Sequence, residues 1–94
     1  MGFQKICVLG LGYIGLPTAA VFASNGLKVI GVDVNPRVIE TLRNGEVHIY
    51  EPGLLDLFKQ SVHSGNFAFS TQPEEADAFL IAVPTPFQTD KYGE

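Results

Sequence analysis

The chain has 94 residues, 46% of them apolar, with a formal charge of −4 and an isoelectric point near 5.0. That length suits one small domain, and that apolar share suits a folded one rather than a disordered segment. The six Lys and Arg are scattered from Lys5 to Lys91 without a run, which argues against charge-based binding to nucleic acid; Cys7 stands alone, so no internal disulfide forms and a cytoplasmic location is expected.

Lys5 opens an uncharged stretch, Ile6 to Ala23, with the outline of a secretion signal or a membrane span. Gly10, Gly12, Gly15 and Pro17 fall in the middle of it and would weaken a continuous helix. No membrane association is therefore expected. The same stretch divides naturally at the glycines. "KICVLG" (Lys5–Gly10) is a short β-branched run, as in a buried strand. "YIGLPTAAVFASNG" reads as a helix with Leu16, Ala19, Ala20 and Ala23 on one side and Asn25-Gly26 as its stop.

"LKVIGVD" (Leu27–Asp33) is a second strand. Asn35 then offers an N-cap and Pro36 a first helical residue for a helix with Val38, Ile39 and Leu42 inward, ended by Asn44-Gly45. The loop "EVHIYE" precedes a third helix starting near Pro52, with Leu54, Leu55, Phe58 and Val62 on its expected inner face. "FAFST" (Phe67–Thr71) is a third strand. "TQPE" has capping-box spacing, so one helical turn is expected after it. "ADAFLIAV" (Ala76–Val83) is a fourth strand, stopped by Pro84 and Pro86, and the tail "FQTDKYGE" has no periodicity.

Alternating strands and helices with near-continuous apolar strands imply an α/β fold: a parallel, doubly wound sheet covered on both faces. Four strands make a partial Rossmann domain, where a complete one has about six. The chain is thus expected to be cut short, with residues 1–94 the amino-terminal portion of the domain.

Gly10-Leu-Gly12-Tyr-Ile-Gly15 is G-x-G-x-x-G, directly after a strand and opening a helix. In that setting the first glycine makes the tight turn, the second admits a pyrophosphate and the third lets helix and strand pack closely. The phosphates would lie against free N–H groups at the positive end of the helix. Asp33 ends the second strand, where a carboxylate accepts both hydroxyls of an adenosine ribose and repels a 2′-phosphate. Together they point to NAD. A Walker loop is excluded, because Gly15 is followed by Leu16-Pro17 instead of Lys-Ser/Thr. Arg37 is open to three readings, a contact on the adenosine side, a partner for a 2′-phosphate or an exposed helix residue. Thr85, in "VPTP" at the end of the fourth strand, borders the ligand crevice of a doubly wound sheet, or belongs to a rigid proline turn. Cys7 reads as a buried small hydrophobe, His48 and His63 as surface residues without a metal, and Glu74, Glu75 and Asp77 as a solvated acidic loop.

"GLGYIGLP", "GVDVNPRVIETLRNGE", "YEPGLLDL" and "LIAVPTPF" together resemble the amino-terminal part of the UDP-glucose/GDP-mannose dehydrogenase family, over essentially the whole chain. "AVPTPF" is most similar to the branch acting on UDP-N-acetylhexosamines, with UDP-N-acetyl-D-mannosamine the nearest substrate and UDP-glucose the alternative. The resemblance implies NAD-dependent oxidation of a sugar's primary alcohol to a carboxylate through two hydride transfers. It implies that Tyr13, Ile14, Asp33 and Thr85 contact NAD, with Arg37 a looser match. It also implies that the catalytic thiol, an active-site lysine and the sugar-binding domain lie beyond Glu94, so this chain carries no catalytic residue. Cys7 does not match the family's cysteine. A homo-oligomer is expected. A nucleotide-sensing regulatory domain is the competing class, but "EPGL" and "PTPF" have no evident use in one.

Overall fold

A computed structural model describes residues 4–82. Seven elements follow in chain order: β1 (Lys5–Leu9), α1 (Gly15–Ser24), β2 (Lys28–Val32), α2 (Pro36–Arg43), α3 (Leu54–His63), β3 (Phe67–Ser70) and β4 (Ala78–Ile81). The strands form one sheet in the order β3-β2-β1-β4, and every neighbouring pair is parallel. β1 is paired on both sides, Val8 lying between Gly31 and Leu80. The order matches the first four strands of a doubly wound sheet, and its switch point falls between β1 and β4.

From β1 the chain steps to β2 and then β3 in one direction. Right-handed crossovers of that kind put α1, α2 and α3 on the same face. There Ile6, Val8, Val29 and Phe67 meet Leu16, Ala19, Ala20, Ala23, Ile39, Leu42, Leu54 and Phe58 in one buried cluster. The alanines of α1 keep it close to the sheet and let α3 pack beside it. Phe58 of α3 stands edge-on to Phe67, with ring centroids 6.1 Å apart, and Phe67 lies 4.6 Å from Phe69. Aromatic pairs at such spacings add to the area they bury.

Two expectations are corrected, the helical turn after Thr71 and the inner face of α3, and the cover expected on both sheet faces is seen on one face within the described residues. Among the described residues the opposite face, carrying Cys7, Leu9, Ile30, Phe79 and Ile81, has no helix over it; Phe79 and Ile81 are 53% and 68% exposed. Within the described residues helices cover one face, and β4 follows β3 through Thr71–Asp77 without a crossover helix. No helical turn follows Thr71: the Gln72 amide bonds to the Ser70 hydroxyl and the segment runs on irregularly. The inner face of α3 is Leu54, Leu57, Phe58 and Ser61, while Leu55 and Val62 are exposed. At about 100° per residue, Leu55 and Val62 share a flank roughly 80–100° round from Leu54. Ser61 is tolerated inside because its hydroxyl donates to the Phe58 carbonyl at 2.7 Å.

The acidic cluster also separates. Asp77 receives the amides of Gln4 and Lys5 at 2.9 and 3.0 Å, and its own amide donates to the Lys5 carbonyl. It is a structural tie between the starts of β1 and β4. Those amides are the main cause holding its carboxyl below its ordinary range, with the Lys5 charge a smaller one. Glu74, by contrast, only pairs with Lys5 at the surface.

Candidate cofactor site

The glycine loop leaves β1 with Gly10 at φ 101°, a left-handed conformation that favours glycine. The Gly10 amide donates to the Val32 carbonyl at 2.7 Å, which holds the turn against the end of β2. Gly15 begins α1 so close to that turn that an added Cβ would overlap the Gly10 carbonyl oxygen and press on the Ala82 side chain. Helix and strand approach at the switch point only because position 15 lacks a side chain. Gly12 differs from both. Its φ is not left-handed, and an added Cβ would meet nothing within 4 Å. Neither the turn nor the packing needs glycine there; open space lies in front of it.

The start of α1 has no side-chain cap and no acidic residue in its first turn. Among the described residues, the amides of Gly12, Tyr13 and Ile14 have no backbone acceptor, and the Tyr13 and Ile14 side chains are well exposed. α2, by comparison, is closed by Asn35, whose side chain accepts the Arg37 amide at 3.0 Å. Free amides at a helix start, with the positive end of the helix dipole behind them, suit an anion.

The first of these residues, Gly12, borders a groove of about 590 Å³ lined also by Leu9, Gly10, Leu11, Val32, Asp33, Val34, His48, Thr71 and Pro73. The volume falls in the range of small-molecule sites, roughly 300–1,000 Å³. Asp33 is half-buried in its wall. Its Oδ2 accepts the Leu11 amide and its Oδ1 the Asn35 amide, each at 3.0 Å. A carboxylate has about four lone-pair sites, so each oxygen keeps capacity for one more donor. Two adjacent hydroxyls match that capacity. The residues present therefore fit a dinucleotide: free amides for phosphate, an open approach at Gly12, and a fixed carboxylate for a diol.

Gly10, Gly12 and Asp33 come together around the groove; Tyr13, Ile14 and Gly15 sit at the adjoining helix start. Arg37 is exposed on α2 and does not line the groove. Thr85 lies outside the described residues. His63 is exposed, as expected, but His48 is not a free surface residue. It lines the groove, and its Nε2 lies 2.7 Å from the Leu11 carbonyl oxygen. Its neighbours Val47 and Ile49 are buried and fix it there, an alternation that "EVHIYE" carried but that reads in sequence as a loop. Among the described residues no group of His, Cys, Asp and Glu is arranged for a metal, and no helix is long and apolar enough to cross a membrane.

Comparison with known proteins agrees with this geometry. UDP-N-acetyl-D-mannosamine dehydrogenase of Campylobacter jejuni is 57% identical over 90 residues, covering 96% of this chain and 22% of that protein. The solved structure of UDP-N-acetyl-mannosamine dehydrogenase from S. aureus superposes with a TM-score of 0.87 at 50% identity, over 92% of this chain and 21% of that one. A UDP-glucose dehydrogenase from Pyrobaculum islandicum gives 0.82 at 43% identity, over 90% of this chain and 21% of its own. The chain thus spans about a fifth of the length of the relatives it matches. Residues 4–94 match the profile described as "UDP-glucose/GDP-mannose dehydrogenase family, NAD binding domain", and the chain belongs to that family.

Proposed function

We propose that this chain forms the adenosine-diphosphate half of the NAD site in a nucleotide-sugar dehydrogenase, residues 1–94 being the amino-terminal portion of its Rossmann domain. The observation that carries the proposal is the uncapped start of α1 beside the carboxylate of Asp33. The amides of Gly12, Tyr13 and Ile14 donate to the pyrophosphate. Gly10 makes the turn that brings them there, and Gly15 lets the helix start at that distance. Asp33 accepts the ribose hydroxyls with the lone pairs that Leu11 and Asn35 leave open. Arg37 and Thr85 remain candidate contacts, Arg37 on the adenosine side and Thr85 beyond β4. Bound NAD supplies a hydride acceptor for alcohol oxidation.

For the whole protein we propose oxidation of the primary alcohol of UDP-N-acetyl-D-mannosamine to the uronate with two NAD, in the cytoplasm and as a homo-oligomer. Support for the sugar is the 57% identity to enzymes of that name. Cofactor preference tests the site. A carboxylate beside a 2′-phosphate is repulsive, so NAD should bind more tightly than NADP, and Asp33→Ser should shrink that preference by about tenfold, roughly 1.4 kcal/mol. Calorimetric titration of both cofactors measures it; equal affinity in the unaltered protein would refute the assignment of Asp33. NADH production by the longer protein across a panel of UDP-sugars identifies the substrate.

A further inference from the structure

We infer that His48 is a positioning residue of the glycine loop: through the Leu11 carbonyl it sets the direction of the Gly12 amide. The inference rests on the NAD reading only for its consequence, since the contact itself is built into the fold. A carbonyl oxygen can only accept, so the 2.7 Å contact requires the proton on Nε2, and His48 donates. Nδ1 then carries a lone pair, and it is a buried nitrogen with no hydrogen-bond partner among the described residues. A proton placed there instead would be a buried donor without an acceptor and would set the Nε2 lone pair against the Leu11 carbonyl oxygen.

Leu11 is held at both polar backbone atoms. Its amide donates to Asp33 Oδ2 at 3.0 Å and its carbonyl accepts from His48, while its side chain is fully buried. The Leu11 carbonyl and the Gly12 amide belong to one peptide plane, and among the described residues no peptide bond is cis. In a trans unit the N–H points opposite to the C=O. Turning the Leu11 carbonyl onto His48 therefore turns the Gly12 amide away from it, and the bond polarises that amide as a donor. Asp33 and His48 come from different segments, the end of β2 and the loop between α2 and α3. Between them they fix the residue that precedes Gly12. This is also why an otherwise irregular loop has Val47 and Ile49 anchored in the core on either side of His48.

The test uses 15N-labelled protein carrying this sequence, unaltered and as His48→Ala and His48→Gln; the Gln amide offers a donor near the position of Nε2. Without ligand, long-range 15N correlation should show His48 as the Nε2–H tautomer. The Gly12 amide resonance should move in His48→Ala and return towards its original position in His48→Gln. NAD affinity should fall about tenfold in His48→Ala and recover to within about threefold in His48→Gln, with melting temperatures of the two variants alike. An Nδ1–H tautomer, or an unmoved Gly12 resonance in His48→Ala, overturns the inference; so does equal NAD affinity in His48→Ala and the unaltered protein. Unaltered protein that shows the tautomer and the Gly12 shift yet binds no NAD supports the clamp and refutes the NAD reading instead.

Discussion

A methyl group added at position 15 and one added at position 12 meet opposite surroundings, although both residues belong to the same glycine motif. At Gly15 the methyl would strike the Gly10 carbonyl, backbone that cannot move without unmaking the turn. Gly15→Ala should therefore destabilise the fold by about 1–3 kcal/mol, as overpacking does. At Gly12 it would enter empty space on an ordinary backbone, so Gly12→Val should leave the melting temperature nearly unchanged. Its cost should fall on NAD, by tenfold or more in Kd, about 1.4 kcal/mol upward, because the side chain occupies the path of the pyrophosphate. Thermal melts and calorimetry on both variants separate the two roles. A Gly12→Val protein that melts as before and binds NAD as before would remove Gly12 from the site. The motif and the strand-end acid were legible in the sequence because their spacing is local. His48 was not, because its partner is a backbone carbonyl far away in the chain, and a carbonyl leaves no trace in residue identity.

Elements whose burial follows from a single period were read correctly, and those set by partners were not. β1, β2, α1 and α2 stand where hydrophobic spacing and the Asn35-Pro36 start place them. In α3 the spacing admitted two overlapping stripes, and packing against α1 and β3 chose the one containing Leu57 and Ser61. The segment after β3 has the letters of a capping box but no apolar stripe behind it, and it stays irregular. Asp77 gains its meaning only when β4 lies beside β1. Its carboxyl is held below the unfolded value, chiefly by the Gln4 and Lys5 amides. The linkage sign follows: the contribution is fully present above the unfolded carboxylate range, about pH 4, and is lost as pH falls through the lowered native value. Asp77→Asn should therefore lower stability at neutral pH and flatten the acid limb below about pH 4. Denaturant melts at a series of pH values would show it, and parallel acid limbs in the two proteins would refute it. The site is exposed, so the effect should be modest.

At the scale of the whole molecule, the described residues leave the sheet covered by helices on one face and without helices on the other. Core residues from three helices cover the face bearing Ile6, Val8 and Val29, whereas Leu9, Ile30, Phe79 and Ile81 lie on the face without helices. Among the described residues β4 is moreover an edge strand, paired only with β1. An apolar edge with unpaired amides and carbonyls is a template for another chain, and an apolar face beside it adds area to the encounter. A polypeptide of these 94 residues should therefore run larger than a monomer at micromolar concentration, and charge placed on that face, as in Phe79→Lys with Ile81→Lys, should shift it towards monomer. The same polypeptide should bind NAD weakly and produce no NADH with any UDP-sugar. Oxidation through a covalent stage needs an accessible nucleophile, and Cys7 is fully buried in the central strand. Light scattering coupled to size-exclusion chromatography reads the first outcome, and absorbance of NADH the second. A monomer at all concentrations would mean that the open face is satisfied within the chain, and turnover by a sample of verified mass would mean that the chemistry resides here after all.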